Sequence, residues 1–125
     1  VIKEMTQNRI HVVDSNILVM GLAFKENCPD IRNTRVAELV SGLQEYHANV
    51  DIYDPWVDAD AAKEEYGLTL VSQPAEGKYD AVVVAVAHDC FREAGLEAIK
   101  KYVKGIHVLF DVKYIFPISE NLARL

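Results

Sequence analysis

The sequence has few cysteines, a shortage of basic residues and no long apolar run. Its two cysteines, Cys28 and Cys90, have no metal-ligand spacing and give no disulfide framework, which fits a reducing cytosol. Thirteen basic against nineteen acidic residues give a net charge of −6, which disfavours a general nucleic-acid surface. No run reaches the roughly 18 apolar residues that span a bilayer, and no secretory signal opens the chain. We therefore expect a cytoplasmic protein with neither nucleic acid nor membrane as a partner, and the spacing of its four histidines predicts no metal site.

The glycine-rich fingerprint of dinucleotide-binding domains is also missing. After the first apolar run, Gly21-Leu-Ala-Phe24 has one glycine where G-x-G-x-x-G needs three for close approach to a pyrophosphate. Asp54 ends the second apolar segment, where an NAD-binding domain places its ribose-binding acid. Without the glycines, we interpret Asp54 mainly as a turn residue before Pro55. The sequence thus favours a mononucleotide or nucleotide-sugar cradle over a primary NAD site.

What the sequence does contain is a regular alternation of strand and helix patterns. Apolar segments at residues 17–24, 50–53, 68–71, 81–87 and 106–111 predict five strands. A helix is expected from about Asn33, with an apolar face made of Val36, Leu39, Val40 and Leu43. This alternation produces βαβ units. The predicted fold class is therefore α/β, a Rossmann-like three-layer α/β/α sandwich with a mostly parallel sheet of about five strands.

Several residues predict where these elements end. Asn49 is expected to be the left-handed stop of the first helix, and Asp58 or Asp60 should cap a short helix that ends at Gly67. A further helix should run through Leu96, Ile99 and Val103, with Gly105 just past its end. The tail from Pro117 is expected to form a last short helix.

The chain opens on Val1 and not on methionine. Residues 1–14 have the pattern of the end of a preceding helix and a connector, and residues 15–125 that of one domain. We expect the chain to be a fragment of a larger protein.

Charged residues follow three of the predicted strands. In an open parallel sheet, ligands bind beyond the carboxyl ends of the strands. The loops there carry Lys25, Arg32, His88, Asp89 and Lys113. A lone lysine is usually a solvated loop residue, but three cations at one sheet edge suit a phosphate, as does the helix that follows.

For the other reactive or aromatic residues near these loops, a structural role is favoured over a catalytic or binding one. Cys28 lies near Lys25 and Arg32, but no base is obviously paired with it. Cys90 follows His88-Asp89, where packing or capping is the commoner role. Trp56 could stack on a base, although a lone tryptophan more often covers a core.

Four segments together resemble one known domain. They are the runs from Gly21 to Thr34, from Val50 to Trp56, from Val84 to His88 and from Phe110 to Lys113. The chain closely resembles the C-terminal domain of the UDP-glucose/GDP-mannose dehydrogenase family. The resemblance implies a UDP-sugar-binding domain that follows an N-terminal NAD-binding domain and a long helix in a homo-oligomeric enzyme. It also implies two NAD-dependent oxidations at sugar C6, from alcohol to carboxylate, on a cysteine outside this chain, so the fragment alone should be inactive.

The same resemblance assigns roles to individual residues. Phe24 and Lys25 match a pair that contacts the substrate, and Arg32 matches an arginine that reaches NAD on the other domain. Lys113 matches a substrate-contacting position that is arginine in animal UDP-glucose dehydrogenases, so a point charge replaces a planar fork. The Glu-Asn-Cys-Pro-Asp version of the first loop and the Asp-Val-Lys ending resemble the bacterial branch that acts on UDP-N-acetylglucosamine or UDP-N-acetylgalactosamine for capsule and related polysaccharides. UDP-glucose or GDP-mannose as the substrate, and a non-catalytic nucleotide-binding module, are the alternatives.

Overall fold

The computed structural model describes residues 5–6, 10–32, 34–111 and 122–124. The strands are β1 (Asn16–Met20), β2 (Asn49–Tyr53), β3 (Tyr79–Val84), β4 (Val103–Asp111) and β5 (Leu122–Arg124). The helices are α1 (Val36–Glu45), α2 (Ala59–Tyr66) and α3 (Asp89–Ile99), and a 3₁₀ turn (Lys100–Tyr102) follows α3. Helix α3 is interrupted at Gly95, whose φ of 79° and ψ of 166° are not helical. None of the helices in these ranges has the length and apolar character needed to cross a membrane.

The five strands form one parallel sheet in the order β2-β1-β3-β4-β5. Successive side chains of a strand point to opposite faces, so the sheet contributes to two cores. Ile17 and Val19 of β1 pack on one face with the apolar side of α1 and with Ala62 of α2. Leu18 and Met20 pack on the other face with residues of α3. The predicted Rossmann-like sandwich with a parallel sheet is therefore confirmed.

The expected helix face and caps are largely confirmed. Val36, Val40 and Leu43 are buried and Leu39 is half-buried. Of the two candidate caps of α2, it is Asp58 whose side chain accepts the N–H of Asp60. Helix α2 ends as predicted at left-handed Gly67, with φ of 69°.

Other predicted boundaries are wrong. His47, with φ of 63°, takes the left-handed conformation expected of Asn49, which instead opens β2. Residues 68–71 form no strand and make a single bridge, from Leu70 to Ile52. Val103 and Gly105 belong to β4 and not to a helix or its end, because the 3₁₀ turn completes the crossover first.

Strand lengths and the tail also differ from expectation. β1 stops at Met20 and β3 at Val84, short of the predicted ends at residues 24 and 87, because the apolar residues that follow turn into buried loops. In the tail, Leu122–Arg124 is a strand paired with β4 and not part of a helix. Pro117 and the helix start expected at Asn33 lie outside the described residues.

Candidate functional site

The chain makes a tight turn at Gly21, directly after β1. Gly21 has φ of 104° and donates its N–H to the carbonyl of Tyr53 at 2.8 Å. A Cβ built on it would lie 2.6 Å from Cβ of Val86, closer than real Cβ atoms approach one another. The carboxyl end of β1 is thus pressed between the connections that follow β2 and β3, and only glycine fits there.

The carboxylate of Asp54, at the end of β2, holds the two residues after this turn. Its Oδ2 accepts the N–H groups of Leu22 at 2.7 Å and Ala23 at 3.0 Å, and its Oδ1 accepts the N–H of Trp56 at 2.8 Å. Burial by itself would raise the pKa of Asp54, but hydrogen bonds from His88 and from these three amides together hold it below its ordinary value. Asp54 is therefore a buried anion that organises the loop, and its interpretation as mainly a turn residue was too narrow.

His88 is the last residue of the segment between β3 and α3, and it is the fourth partner of Asp54. The imidazole is fully buried, and its Nε2 lies 2.9 Å from Oδ2 of Asp54. Its Nδ1 accepts the backbone N–H of Asn27 at 2.8 Å. Because a backbone amide can only donate, Nδ1 carries no proton, and the neutral ring donates from Nε2 to Asp54. His88 is therefore a buried hydrogen-bonding residue at this edge of the sheet.

Two aromatic rings and the side chain of Asn27 complete this cluster. Trp56 stacks on His88 with ring centroids 6.0 Å apart, and Phe91 meets the same ring edge-on at 5.3 Å. Trp56 is 43% exposed, so it covers His88 and also faces solvent. Asn27 is left-handed, with φ of 54°, and its Oδ1 accepts the N–H of Asp89 at 3.0 Å. The loop between β1 and α1 is thereby tied to the first turn of α3.

The second half of the same loop is held by its own backbone and by α2. Phe24 donates its N–H to the carbonyl of Asp30 at 2.7 Å, and the hydroxyl of Tyr66 donates to the carbonyl of Ile31 at 2.6 Å. Arg32 forms a planar fork on Asp30, with Nε and one terminal nitrogen each 3.0 Å from a carboxylate oxygen. These side-chain hydrogen bonds lower the pKa of Asp30 to about 2. The Arg32 side chain stays 81% exposed, so the pair orients it without burying it.

Three of the predicted site residues share this loop. Phe24 is 56% exposed, and Lys25 and Arg32 are also exposed. Lys113, the fourth, lies outside the described residues. Cys28 is half-buried in the loop and Cys90 is exposed on α3, where partial burial of the thiol and the charge of Asp54 raise its pKa and disfavour the thiolate.

The link between Asp54, His88 and Asn27 was not predicted from the sequence. A signal was present, because Asp54 and His88 are polar residues directly after apolar strands that flank β1 in the sheet. The side chain of Asn27 gave no such signal, because its role depends on a left-handed conformation inside a loop.

The loop geometry does not suit a dinucleotide cofactor at the end of β1. In a glycine-rich fingerprint, the amides after the first strand receive the pyrophosphate. Here the amides of Leu22 and Ala23 already donate to buried Asp54. For metals, no cluster of three or more histidine, cysteine or acidic side chains able to hold an ion occurs within the described ranges.

Comparison with known proteins gives consistent matches along the chain. Residues 18–117 match the family model described as the UDP-glucose/GDP-mannose dehydrogenase family, UDP binding domain. The chain is 48% identical to a UDP-N-acetyl-D-glucosamine 6-dehydrogenase of Pseudomonas aeruginosa and 47% identical to one of Salmonella typhi, over 99% of its own length in both cases. It spans 29% of the length of each of these relatives.

A solved structure supports the fold. The UDP-D-ManNAc dehydrogenase of Pyrococcus horikoshii superimposes with a TM-score of 0.77 over 98% of this chain and 28% of its own, at 23% identity. The same architecture therefore occurs as one part of a longer enzyme. By the family model that matches most of its length, the chain belongs to the UDP-glucose/GDP-mannose dehydrogenase family, as its UDP binding domain.

Proposed function

We propose that this chain binds the UDP part of a nucleotide sugar at the loop between β1 and α1. The observation that carries the proposal is the way the loop presents Lys25. The amides of Ala23 and Asn27, two residues to either side, are each held by a buried side chain, whereas Lys25 itself is exposed. A cation on a fixed backbone suits a diphosphate, because little conformational entropy remains to be lost on binding.

Phe24 and Lys113 complete the proposed substrate contacts. Phe24 precedes Lys25, and more than half of its surface faces solvent at the carboxyl edge of the sheet, where open α/β folds bind ligands. Lys113 follows β4, whose carboxyl end lies at the same edge because the strands are parallel. Phe24 would contact the base or sugar, and the two lysines would neutralise phosphate charge.

The parent protein is proposed to be an NAD-dependent nucleotide-sugar 6-dehydrogenase. The relatives at 47–48% identity favour UDP-N-acetylglucosamine as its substrate, with UDP-N-acetylgalactosamine as the close alternative. NAD would supply the hydride acceptor, and the occupied amides of Leu22 and Ala23 support placing its main site on the preceding domain. The role of this chain is to bind and hold the nucleotide sugar while residues outside this chain oxidise C6 of the sugar. Residues 15–125 are proposed as the whole UDP-binding unit, and the parent is proposed to be a cytoplasmic homo-oligomer.

Calorimetric titration of the 125-residue chain should show weak UDP binding that exceeds NAD binding. Lys25→Ala should reduce UDP affinity about ten- to a hundredfold, because one charge-assisted hydrogen bond to phosphate contributes roughly 1.5–3 kcal/mol. Lys101→Ala is the matched control, because Lys101 is also an exposed lysine and lies in the 3₁₀ turn before β4, at the opposite edge of the sheet. Tight NAD binding without UDP binding would reverse the assignment.

A second prediction concerns Arg32 in the full-length parent. Arg32→Ala should raise the KM for NAD about tenfold or more and leave the KM for the UDP-sugar within about threefold, because the exposed guanidinium faces away from its own domain's core. Initial-rate kinetics with both substrates varied measures the two constants. Asp30→Asn removes the carboxylate that orients Arg32 and should change the same constant by less. An Arg32→Ala effect confined to the KM for the UDP-sugar would contradict this role of Arg32.

The isolated chain should form no NADH.

A further inference from the structure

The buried pair of Asp54 and His88 belongs to no proposed contact with a ligand. We propose that Asp54 and His88 are positioning residues for the nucleotide-sugar site, which fix residues 22–27 and thereby place Lys25. The inference rests on the proposed function of Lys25. It adds two buried residues, which follow β2 and β3, to the exposed side chains of Phe24 and Lys25.

The geometry gives each partner one end of the Lys25 segment. Asp54 holds the amides of Leu22 and Ala23 before Lys25, and His88 holds the amide of Asn27 after it. The two anchors also contact each other, with Nε2 of His88 2.9 Å from Oδ2 of Asp54. A shift of either side chain would therefore move the backbone that carries Lys25.

The burial and orientation of His88 favour positioning over direct ligand contact. The imidazole is fully buried, and both of its nitrogens are already used, Nε2 by Asp54 and Nδ1 by the amide of Asn27. The rings of Trp56 and Phe91 pack on the same imidazole. A ligand would have to displace one of these partners to reach His88, whereas it can reach Lys25 freely.

Two amide substitutions at residue 88 separate the two anchors. In His88→Asn, the short amide can place its oxygen near the position of Nδ1, which keeps the acceptor for Asn27 but loses the donor to Asp54. In His88→Gln, the longer amide can place its nitrogen near the position of Nε2, which keeps the donor but loses the acceptor. Both variants lose the same ring contacts, so their thermal stabilities should be similar.

The test combines amide hydrogen exchange of the free chain with UDP titration. In His88→Gln, the Asn27 amide should exchange at least about tenfold faster and UDP affinity should fall about tenfold, the effect of one hydrogen bond. In His88→Asn, both values should stay within about threefold of wild type. Equal losses of UDP affinity in the two variants would overturn the proposal, because they would reflect general destabilisation.

The outcomes also separate this proposal from the proposed function. If the wild-type chain does not bind UDP, the proposed function is wrong. If the wild-type chain binds UDP and the two variants lose UDP affinity equally, only the proposed positioning role is wrong. Should neither variant fold, Asp54→Asn provides the test, because the amide keeps the size of the side chain but has one acceptor oxygen fewer for the N–H groups of Leu22, Ala23 and Trp56. It should speed exchange of the Leu22 and Ala23 amides and lower UDP affinity, and unchanged affinity despite faster exchange would overturn the proposal.

Discussion

Gly21→Ala should lower the free energy of unfolding by about 2–6 kcal/mol. Two effects add at this position. The φ of 104° is strained for alanine by about 1–3 kcal/mol, and a Cβ 2.6 Å from Cβ of Val86 adds an overpacking cost of about 1–3 kcal/mol. Urea unfolding followed by circular dichroism measures the change.

Two other glycines separate these effects. Gly77 has φ of 65° but nothing within 4 Å of its Cβ position, so Gly77→Ala should show only the backbone strain, about 1 kcal/mol. Gly42 lies in α1 with open space and ordinary φ, so Gly42→Ala should stabilise the chain by roughly 0.5–1 kcal/mol. If Gly21→Ala is no more destabilising than Gly77→Ala, the close approach to Val86 adds no cost beyond the backbone strain.

Asp54→Ala should destabilise the chain by about 3 kcal/mol or more. The substitution leaves the buried amides of Leu22 and Ala23 without an acceptor, at roughly 1–3 kcal/mol for each unsatisfied donor, and it also removes the partners of Trp56 and His88. Thermal and urea unfolding at pH 7 measure the loss.

Asp58 offers the matched control for this substitution. It is also an aspartate that caps local amides, but it is exposed and accepts a single N–H from Asp60. Asp58→Ala should cost about 1 kcal/mol, the usual value of a helix cap. Equal losses at the two positions would show that burial of the Asp54 network adds nothing.

The pH dependence of stability supplies a separate signature of Asp54. Its pKa is lowered in the folded chain, so its ionised form stabilises the fold above about pH 4, the ordinary pKa of an aspartate, and that stabilisation is lost as the pH falls through the lower folded-state pKa. The stability difference between wild type and Asp54→Asn should therefore shrink below about pH 4. A difference that stays constant down to pH 2 would mean that Asp54 is not ionised in the fold.

Most of the fold follows from local patterns. The apolar segments that became β1 and β3 are buried runs of the kind that parallel sheets require, and the spacing of Val36, Val40 and Leu43 identifies the inner face of α1. The failures occur where no local pattern decides. Residues 22 and 23 are as buried as a strand, but the turn at Gly21 and the Asp54 contact take them out of the sheet.

The candidate site was predictable only in part. Lys25 and Arg32 could be predicted as site residues from their position in a loop after a strand and from the family resemblance. Their chemistry lies in their own exposed side chains and does not depend on a distant partner. The pair of Asp54 and His88 does not follow in this way, because it is defined by a contact between residues 34 apart in sequence. Their positions after the two strands that flank β1 indicate that the residues are near each other, but not that the carboxylate would be buried and matched by four donors.

The tie between Asn27 and His88 spans 61 residues of sequence, with consequences for synthesis on the ribosome. When residues 22–27 leave the exit tunnel, neither of their buried partners has yet emerged. Asp54 reaches the loop first, and His88 follows about 34 residues later. At the usual synthesis rate of about 5–20 residues per second, the loop that carries Lys25 can therefore reach its final conformation only some seconds after its own synthesis. Nascent chains that end before residue 88 would lack the anchor of the Asn27 amide.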